Sequence, residues 1–195
     1  MSPAVKIPLF PLTIFPLPGE MVPLHIFEPR YRQLLDDAEK RDISFGIYFN
    51  HMANEEKLGS LVKLESVIKR HPGGESDIIV KCIDLFQLST MHRTFRDKLY
   101  PGGDVALWQI EPKPIHDIRL IETFESYLKM LMISRHSGDV TSFVIANELD
   151  LDFEDRLKFV KLDAAKKESF LITRLRYQKH LLLEAERAKD VFHLN

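Results

Sequence analysis

Residues 7–31 read IPLFPLTIFPLPGEMVPLHIFEPRY, an apolar stretch that is rich in proline. Residues 5–10 and 21–26, within and beside it, have the composition of short β-strands. A proline has no backbone N–H to donate to a neighbouring strand, so we expect Pro8 and Pro23 to lie at sheet edges or strand ends. The sequence therefore predicts a curled, irregular sheet.

One helix should interrupt the strands of the first half. Pro18-Gly19 predicts the turn before the second strand, and Glu28-Pro29 predicts the helix start. Proline in the first helical position loses no hydrogen bond, and the carboxylate of Glu28 suits the positive end of the helix dipole as a cap. The helix should end near Lys40. Its apolar face, which we expect to cover the sheet, consists of Tyr31, Leu34, Leu35 and Ala38.

Further strands follow from alternating apolar residues and turn chemistry. They are predicted at residues 44–49, in a long hairpin of residues 59–70 and 76–90, and at residues 105–111, which include Trp108. His71-Pro72-Gly73-Gly74 should form the hairpin turn. Along the first arm of the hairpin, the two-residue period predicts opposite faces for core and solvent. Val62, Leu64 and Ile68 should face the core, and Lys63, Glu65 and Lys69 the solvent.

The apolar period becomes helical after Pro112-Lys113-Pro114. We therefore expect a β-domain at residues 1–113 and a helical subdomain at residues 114–195, packed on or beside it. A helix should run from Asp117 to about Arg135. Its stripe consists of Ile121, Phe124, Leu128 and Leu131.

Two short helices and one long helix should complete the helical half. Asp139 and Asp152 are predicted N-caps, because a carboxylate there accepts the free N–H groups of the first turn. Residues 164–190 contain neither proline nor glycine and predict the long helix. Leu171, Leu175, Leu182 and Ala185 lie along one side of it.

Residue patterns of common catalytic sites do not occur in the sequence. No segment matches G-x-x-x-x-G-K-[ST], the loop that cradles nucleotide phosphates, and there is no G-x-S-x-G nucleophile elbow. The eight histidines include no H-x-x-x-H pair, so we predict no metal site and no cofactor. Cys82, the single cysteine, lies in an apolar run and should be buried. We expect a non-catalytic protein.

Composition narrows the classes of partner. The chain of 195 residues is 45% hydrophobic, with 27 basic and 29 acidic residues, unlike a disordered tail or a strongly basic nucleic-acid binder. The basic residues of the final helix alternate with acidic ones, which is typical of an ion-paired, solvated face. The sequence shows no secretion signal and no run of about 20 apolar residues, so we expect a cytoplasmic protein without a membrane partner.

The proline-rich motifs resemble a known family signature. Ile7 to Leu12, Phe15 to Gly19 and Pro23 to Tyr31 closely resemble the opening of Lon protease N-terminal substrate-binding domains. The later elements resemble that family in order, and residues 146–157 resemble its helical half. The resemblance implies an α+β fold, with a PUA-like curved mixed β-sheet or pseudo-barrel followed by a C-terminal α-helical bundle. Many relatives have glycine and arginine where this chain has Cys82 and Leu85, which argues against a ligand contact that needs that arginine.

The resemblance also implies a function. In full-length Lon, this domain helps to capture protein substrates, so we expect a module that binds unfolded or exposed apolar polypeptide through an apolar groove and sheet-edge pairing. ATPase and peptidase domains, which follow it in Lon, are not expected here, and a separate protease or ATPase is a candidate partner. Phe15, Met21, His25, Phe27 and Tyr31 are the candidate apolar and aromatic contacts, with Glu28 and Arg30 as a polar rim.

Other interpretations stay open. Signature residues such as these can instead form the core and the helix caps. RNA binding is the first functional alternative, because PUA-like sheets are associated with RNA elsewhere, although the balanced charge argues against nucleic acid. The second is an adaptor that docks on another protein through its helical half, which an exposed leucine stripe on the last helix would favour.

Overall fold

The structure is a computed structural model that describes residues 4–134 and 138–192, with side chains as far as residue 188. The chain divides into two compact units on either side of the Glu111–Pro112 bond, each considered by itself below. The first contains β1 (Val5–Leu12), β2 (Met21–Ile26), α1 (Pro29–Arg41), β3 (Phe45–Phe49), β4 (Leu58–Arg70), β5 (Ser76–His92) and β6 (Gly102–Leu107). The second contains α2 (Ile118–Met130), α3 (Ser142–Glu148), α4 (Phe153–Lys161) and α5 (Ala164–Phe192). No helix in the described ranges is long and apolar enough to cross a membrane.

The strands form a curled mixed sheet, as predicted. Their order is β2-β5-β4-β3-β1-β6, with β1 parallel to β3 and the other pairs antiparallel. β6 also pairs with β5, which closes five strands into a barrel and leaves β2 outside. The closure is possible because β5 is 17 residues long. It pairs with β2 at its beginning and with β6 at its end. The predicted α+β class and pseudo-barrel are confirmed.

The ring of Phe86 fits into the barrel core because the neighbouring strands β3 and β4 carry glycine beside it. A Cβ atom on Gly46 would lie 2.7 Å from both Phe86 Cε1 and a Leu9 methyl group, and a Cβ on Gly59 would overlap the Phe86 ring. Phe86 is fully buried in a core cluster with Leu9 and neighbouring apolar residues. The two glycines therefore provide the space that the ring occupies.

The segment between β1 and β2 packs into the core. Phe15 and Leu17 are buried, and the Phe15 ring lies 5.8 Å from the Phe49 ring. The Ser60 hydroxyl donates a hydrogen bond to the Pro16 carbonyl at 2.6 Å. The middle of the proline-rich stretch is thus part of the hydrophobic core of the first unit.

Helix α1 begins and ends close to the predicted residues. Tyr31 and the other three residues of the predicted apolar face are buried, and the Tyr31 ring stacks on Phe10 at 3.9 Å. Glu28 stands at the N-cap position, as predicted, but its side chain makes no capping hydrogen bond. Its carboxylate accepts a hydrogen bond from Arg30 Nε at 2.9 Å instead.

Asp37, on the same helix, is a buried carboxylate that the sequence did not predict. The Tyr100 hydroxyl donates to one of its oxygens at 2.8 Å, and Lys98 Nζ donates to the other at 3.2 Å. Desolvation opposes ionisation of this carboxyl. The hydrogen bonds from Tyr100 and Lys98 nevertheless hold the pKa of Asp37 below its ordinary value.

A second buried carboxylate orders the chain after β6. Asp84 accepts hydrogen bonds from the backbone N–H groups of Leu85, Gln109 and Ile110 at 2.8–3.1 Å. β6 ends at Leu107, so the prediction that Trp108 lies in a strand extending to residue 111 is wrong. The carboxylate satisfies N–H groups that a continuing ladder would have paired.

Two predictions on the strands need correction. Pro8 lies inside β1, which stands between β3 and β6 in the sheet order, and Pro23 lies on the end strand β2 as expected. β1 accommodates Pro8 because residues 5–8 pair only with β6 and residues 9–12 only with β3. Ile68 is 60% exposed, because register shifts in β4 interrupt the two-residue period.

The helical unit follows its predicted caps only in part. Asp117 and Asp152 cap α2 and α4 by accepting backbone N–H groups. Thr141, rather than the predicted Asp139, caps α3. α2 ends at Met130, and the predicted end near Arg135 lies outside the described residues.

The apolar stripes of α2 and α5 are each buried over part of their length. On α2 the buried residues are Leu120, Phe124, Tyr127 and Leu128, so Ile121 and Leu131 of the predicted stripe are only partly covered. On α5, Leu171 and Leu175 are fully buried, whereas Ala185 is exposed. Within the described residues of its unit, no other element buries the C-terminal part of α5.

We predict that Gly59→Ala lowers the free energy of unfolding by about 1–3 kcal/mol, because the new methyl group overlaps the Phe86 ring and lies close to the Ile47 carbonyl oxygen. Chemical denaturation measures this change. The matched control is Gly73→Ala, whose methyl group would meet only the flexible Glu75 side chain. Equal costs for the two variants would contradict this account of the barrel core.

We predict that Asp37→Asn lowers the free energy of unfolding at pH 7 by about 1–3 kcal/mol, through weakened bonds to Tyr100 and Lys98. Because the folded-state pKa of Asp37 is lowered, its contribution is complete above the unfolded value of about 4 and is lost as the pH falls through the folded value. Denaturation at pH 7 and pH 3 should show the difference from wild type shrinking.

Its control is the exposed neighbour Asp36, whose ion pair with Lys40 is 4.0 Å long, so Asp36→Asn should change stability by less than about 0.5 kcal/mol. An Asp37→Asn effect that is as small as that of the control, or that is independent of pH, would count against the network.

Candidate polypeptide-binding surface

Strand β2 stands at the end of the sheet. Within the described residues it pairs only with β5, so its other edge carries no strand. Pro23, which has no N–H to donate, lies opposite Ile79 in this pair. An edge strand is the position in a sheet that tolerates a proline, and it is also where an extended peptide can pair.

The outer face of β2 is apolar and exposed. Successive side chains of a strand point to opposite faces, and Met21, Pro23 and His25 are exposed while Ile26 is buried. Met21 is 53% exposed. Phe27 continues the same alternation beyond the strand, is 56% exposed, and stacks on His25 with ring centroids 6.0 Å apart. We name Met21, Pro23, His25, Phe27 and the partner residue Ile79 the β2 face.

A histidine–aspartate–histidine cluster borders this face. His25 Nδ1 lies 2.6 Å from Asp77 Oδ1, and His71 Nε2 lies 2.7 Å from Asp77 Oδ2. The pairing of β2 with β5 sets His25 opposite Asp77, and the hairpin turn carries His71. Hydrogen bonds from His25 and His71 hold the pKa of Asp77 below its ordinary value. These three side chains are the group of residues in the described ranges that could hold a metal ion.

The hairpin turn beside the cluster is anchored on α1. Arg32 Nη1 donates to the Gly73 carbonyl at 2.9 Å, and its guanidinium pairs with Glu75 at 3.4 Å. Gly74 has φ +90°, a left-handed conformation that favours glycine. The turn therefore holds His71 at a fixed place beside β2.

The structure separates the sequence-predicted contact residues into two groups. Met21, His25 and Phe27 lie together on the β2 face. Glu28 and Arg30 form an ion pair next to Phe27 in the chain, at 2.8 Å. Phe15 and Tyr31 are 3% and 4% exposed and belong to the core, because they pack on Phe49 and Phe10. We therefore leave these two out of the proposed surface.

Sequence reasoning missed other residues of this surface. Ile79, Asp77 and His71 come from β5 and the hairpin turn, far from residue 25 along the chain. Their approach depends on the β2–β5 register, for which the sequence offered no signal beyond the existence of the strands. The absence of an H-x-x-x-H pair was therefore a poor guide to histidines that strand pairing and a hairpin turn bring together.

Cys82 is not a candidate nucleophile. It is buried, and burial raises the pKa of its thiol, so the reactive thiolate is suppressed at neutral pH. Leu85 is also fully buried. Cys82 and Leu85 are thus both core positions.

Cavities also occur away from β2. One of about 330 Å³ lies in the helical unit between α2 and the segment before α3, with Phe124 and Leu128 in its lining. Another, of about 280 Å³, lies near Tyr100 and includes Lys98 and Arg41, which already face Asp37. Neither cavity combines exposed apolar side chains with a free strand edge.

Comparison with known proteins gives a consistent result. The family model of the ATP-dependent protease La (Lon) substrate-binding domain matches residues 6–165. A Lon N-terminal domain protein from Xanthomonas campestris is similar in structure, with a TM-score of 0.63 and 21% identity over 90% of this chain and 98% of that chain. The N-terminal domain of the Mycobacterium avium complex Lon protease has a TM-score of 0.59 and 15% identity, over 88% of this chain and 98% of that chain.

No curated protein matches the sequence significantly. At these identities the two solved structures establish a shared fold, and the family model, which spans most of the chain, establishes the relationship. The chain belongs to the family of Lon substrate-binding domains.

Proposed function

We propose that the protein captures unfolded or exposed apolar polypeptide segments on the β2 face and along the free edge of β2, by binding alone. The observation that carries the proposal is that Met21 at the start of β2 and Phe27 just after it are both more than half exposed, on a strand that has no outer partner among the described residues. Membership of a substrate-binding family supports the same function.

The physical chemistry of the surface suits a ligand of variable sequence. Burying a methionine or phenylalanine side chain contributes about 1.5–3 kcal/mol whatever apolar residue it meets. Backbone pairing along the edge of β2 would be equally independent of sequence. The Glu28–Arg30 ion pair provides a polar rim. Such a surface recognises exposed apolar chain rather than one particular motif.

The proposal includes no catalytic step. The matched family is that of the substrate-binding domain of Lon, and the sequence contains no phosphate-binding loop and no nucleophile elbow. A separate protease or ATPase that receives the captured polypeptide belongs to the same proposal, as does a cytoplasmic location.

Of the alternatives, RNA binding has less support from the charges on α5. Arg174 pairs with Asp155, Lys166 with Asp163 at 2.9 Å, and Arg187 with Glu184 at 2.8 Å. An adaptor role is favoured by the end of α5, where Tyr177, Leu181 and Leu183 are exposed within the described residues. The experiments below distinguish these functions.

We predict that the double variant Met21→Ser/Phe27→Ser binds a fluorescently labelled unfolded polypeptide at least about tenfold more weakly than the wild type, because two apolar contacts are lost. Fluorescence anisotropy gives the affinities. The matched control is Met52→Ser/Leu99→Ser, which removes two exposed apolar side chains away from β2. Equal affinities for both double variants would contradict the assignment of this surface.

The same titration separates the functional alternatives. Polypeptide binding that persists at higher salt is the expected result, since the contacts are apolar. If only a labelled single-stranded RNA binds, and its affinity falls steeply as the salt concentration rises, the function would be RNA binding and not polypeptide capture. Binding of neither ligand would favour the adaptor function of α5.

We also predict that methylation of the backbone nitrogen atoms of a peptide ligand weakens its binding to the protein. A peptide N-methylated at every second residue on one edge keeps its side chains but cannot donate the hydrogen bonds of a strand ladder. Its affinity should fall relative to the unmodified peptide if the ligand pairs with β2. Equal affinities would restrict the interaction to the side chains of the β2 face.

A further inference from the structure

The histidine–aspartate–histidine cluster has the donor atoms of a metal site. We propose that His25, His71 and Asp77 bind a divalent transition-metal ion of the zinc type. The proposal is independent of the function proposed above, since it concerns the cluster and not the apolar part of the β2 face.

The ligand atoms converge without any change of the backbone. One ring nitrogen of His25, one ring nitrogen of His71 and one carboxylate oxygen of Asp77 all lie within 4.8 Å of one another. Tetrahedral bonds of about 2.0 Å to zinc require separations of about 3.3 Å between donor atoms. The present contacts of 2.6 and 2.7 Å, made to the two different oxygens of Asp77, need to widen by about 0.6–0.7 Å. The other separations among the three donor atoms, which are at most 4.8 Å, need to shorten by up to about 1.5 Å. Small side-chain rotations provide this, since His25 is largely exposed.

The donor set selects the class of ion. Two imidazole nitrogens and one carboxylate favour zinc and its neighbours in the transition series, whereas magnesium and calcium prefer oxygen ligands throughout. Each ring nitrogen that faces Asp77 donates a hydrogen bond in the metal-free protein, so it must give up its proton to bind the ion. That proton passes to water or, through water, to the opposite nitrogen, and the bound imidazole carries its proton on the nitrogen that faces away from Asp77. The ion thus replaces the two hydrogen bonds to the carboxylate, and water completes its coordination from the exposed side.

The ion would link three parts of the first unit. His25 belongs to β2, Asp77 to β5 and His71 to the hairpin turn, which Arg32 already anchors on α1. An ion that binds the folded chain in preference to the unfolded chain raises its stability by mass action. Metal binding should therefore raise the midpoint of thermal unfolding of the wild type.

The test is a titration of the tag-free protein with zinc chloride by isothermal calorimetry, and with cobalt chloride by visible absorption, which reports tetrahedral coordination. We expect one ion per chain with micromolar or tighter affinity. His25→Gln and His71→Gln should each weaken binding by at least about tenfold, since they remove a ligand of the ion. Both variants should also lose the zinc-induced rise in unfolding temperature.

His92 provides the matched control. Its Nε2 lies 2.6 Å from Asp104 Oδ2, the same kind of contact with a carboxylate, but no second histidine joins this pair among the described residues. His92→Gln should bind zinc like the wild type. Circular dichroism without metal verifies that each variant folds.

Two results would overturn the site. A wild type that binds neither zinc nor cobalt at micromolar concentrations would make the cluster a hydrogen-bonded cross-link only. Equal zinc affinities in the wild type, His25→Gln and His71→Gln would place the bound ion at other residues.

Discussion

The architecture of the first unit depends on the pairing of β5 with three different strands. One edge of β5 is hydrogen-bonded to β4 from Ser76 to Gln87, while the other edge is shared between β2 at its start and β6 at its end. Between these partners, the Cys82 N–H donates to the Glu20 carbonyl and the Asp84 carboxylate accepts three backbone N–H groups. The N–H groups of Cys82 and Leu85 on β5 therefore keep hydrogen-bond partners where the neighbouring strand changes from β2 to β6.

The same arrangement produces the exposed edge. Closure of five strands removes their edges, but β2 remains outside the barrel with an apolar outer face. Proteins usually cover or charge such edges because they recruit other chains. Here Pro23 removes one donor, while Met21 and Phe27 keep the surface apolar. In a domain that captures polypeptide, an exposed strand edge that recruits other chains would serve the function.

How far the sequence predicts this protein depends on the range of the interactions. Local signals worked: the buried face of α1, the long hairpin and the cap at Asp152 follow from periodicity and turn chemistry. Features set by the sheet register did not, which is why Pro8 in β1 and the approach of His71 to β2 could not be foreseen. The same dependence on strand pairing limits prediction of the candidate binding surface. Phe15 and Phe27 belong to the same proline-rich stretch, yet Phe15 is buried and Phe27 is exposed. Only the pairing of the strands determines which of the two rings packs into the core and which lies on the surface.

We propose that β2 is the strand that receives polypeptide. Hydrogen–deuterium exchange of the backbone amides, measured with and without a saturating unfolded polypeptide, tests it directly. Slower exchange confined to residues 21–27 and to the neighbouring part of β5 is the predicted result. Unchanged exchange in β2, together with protection along α5, would contradict the account and would place the interaction on the helical unit.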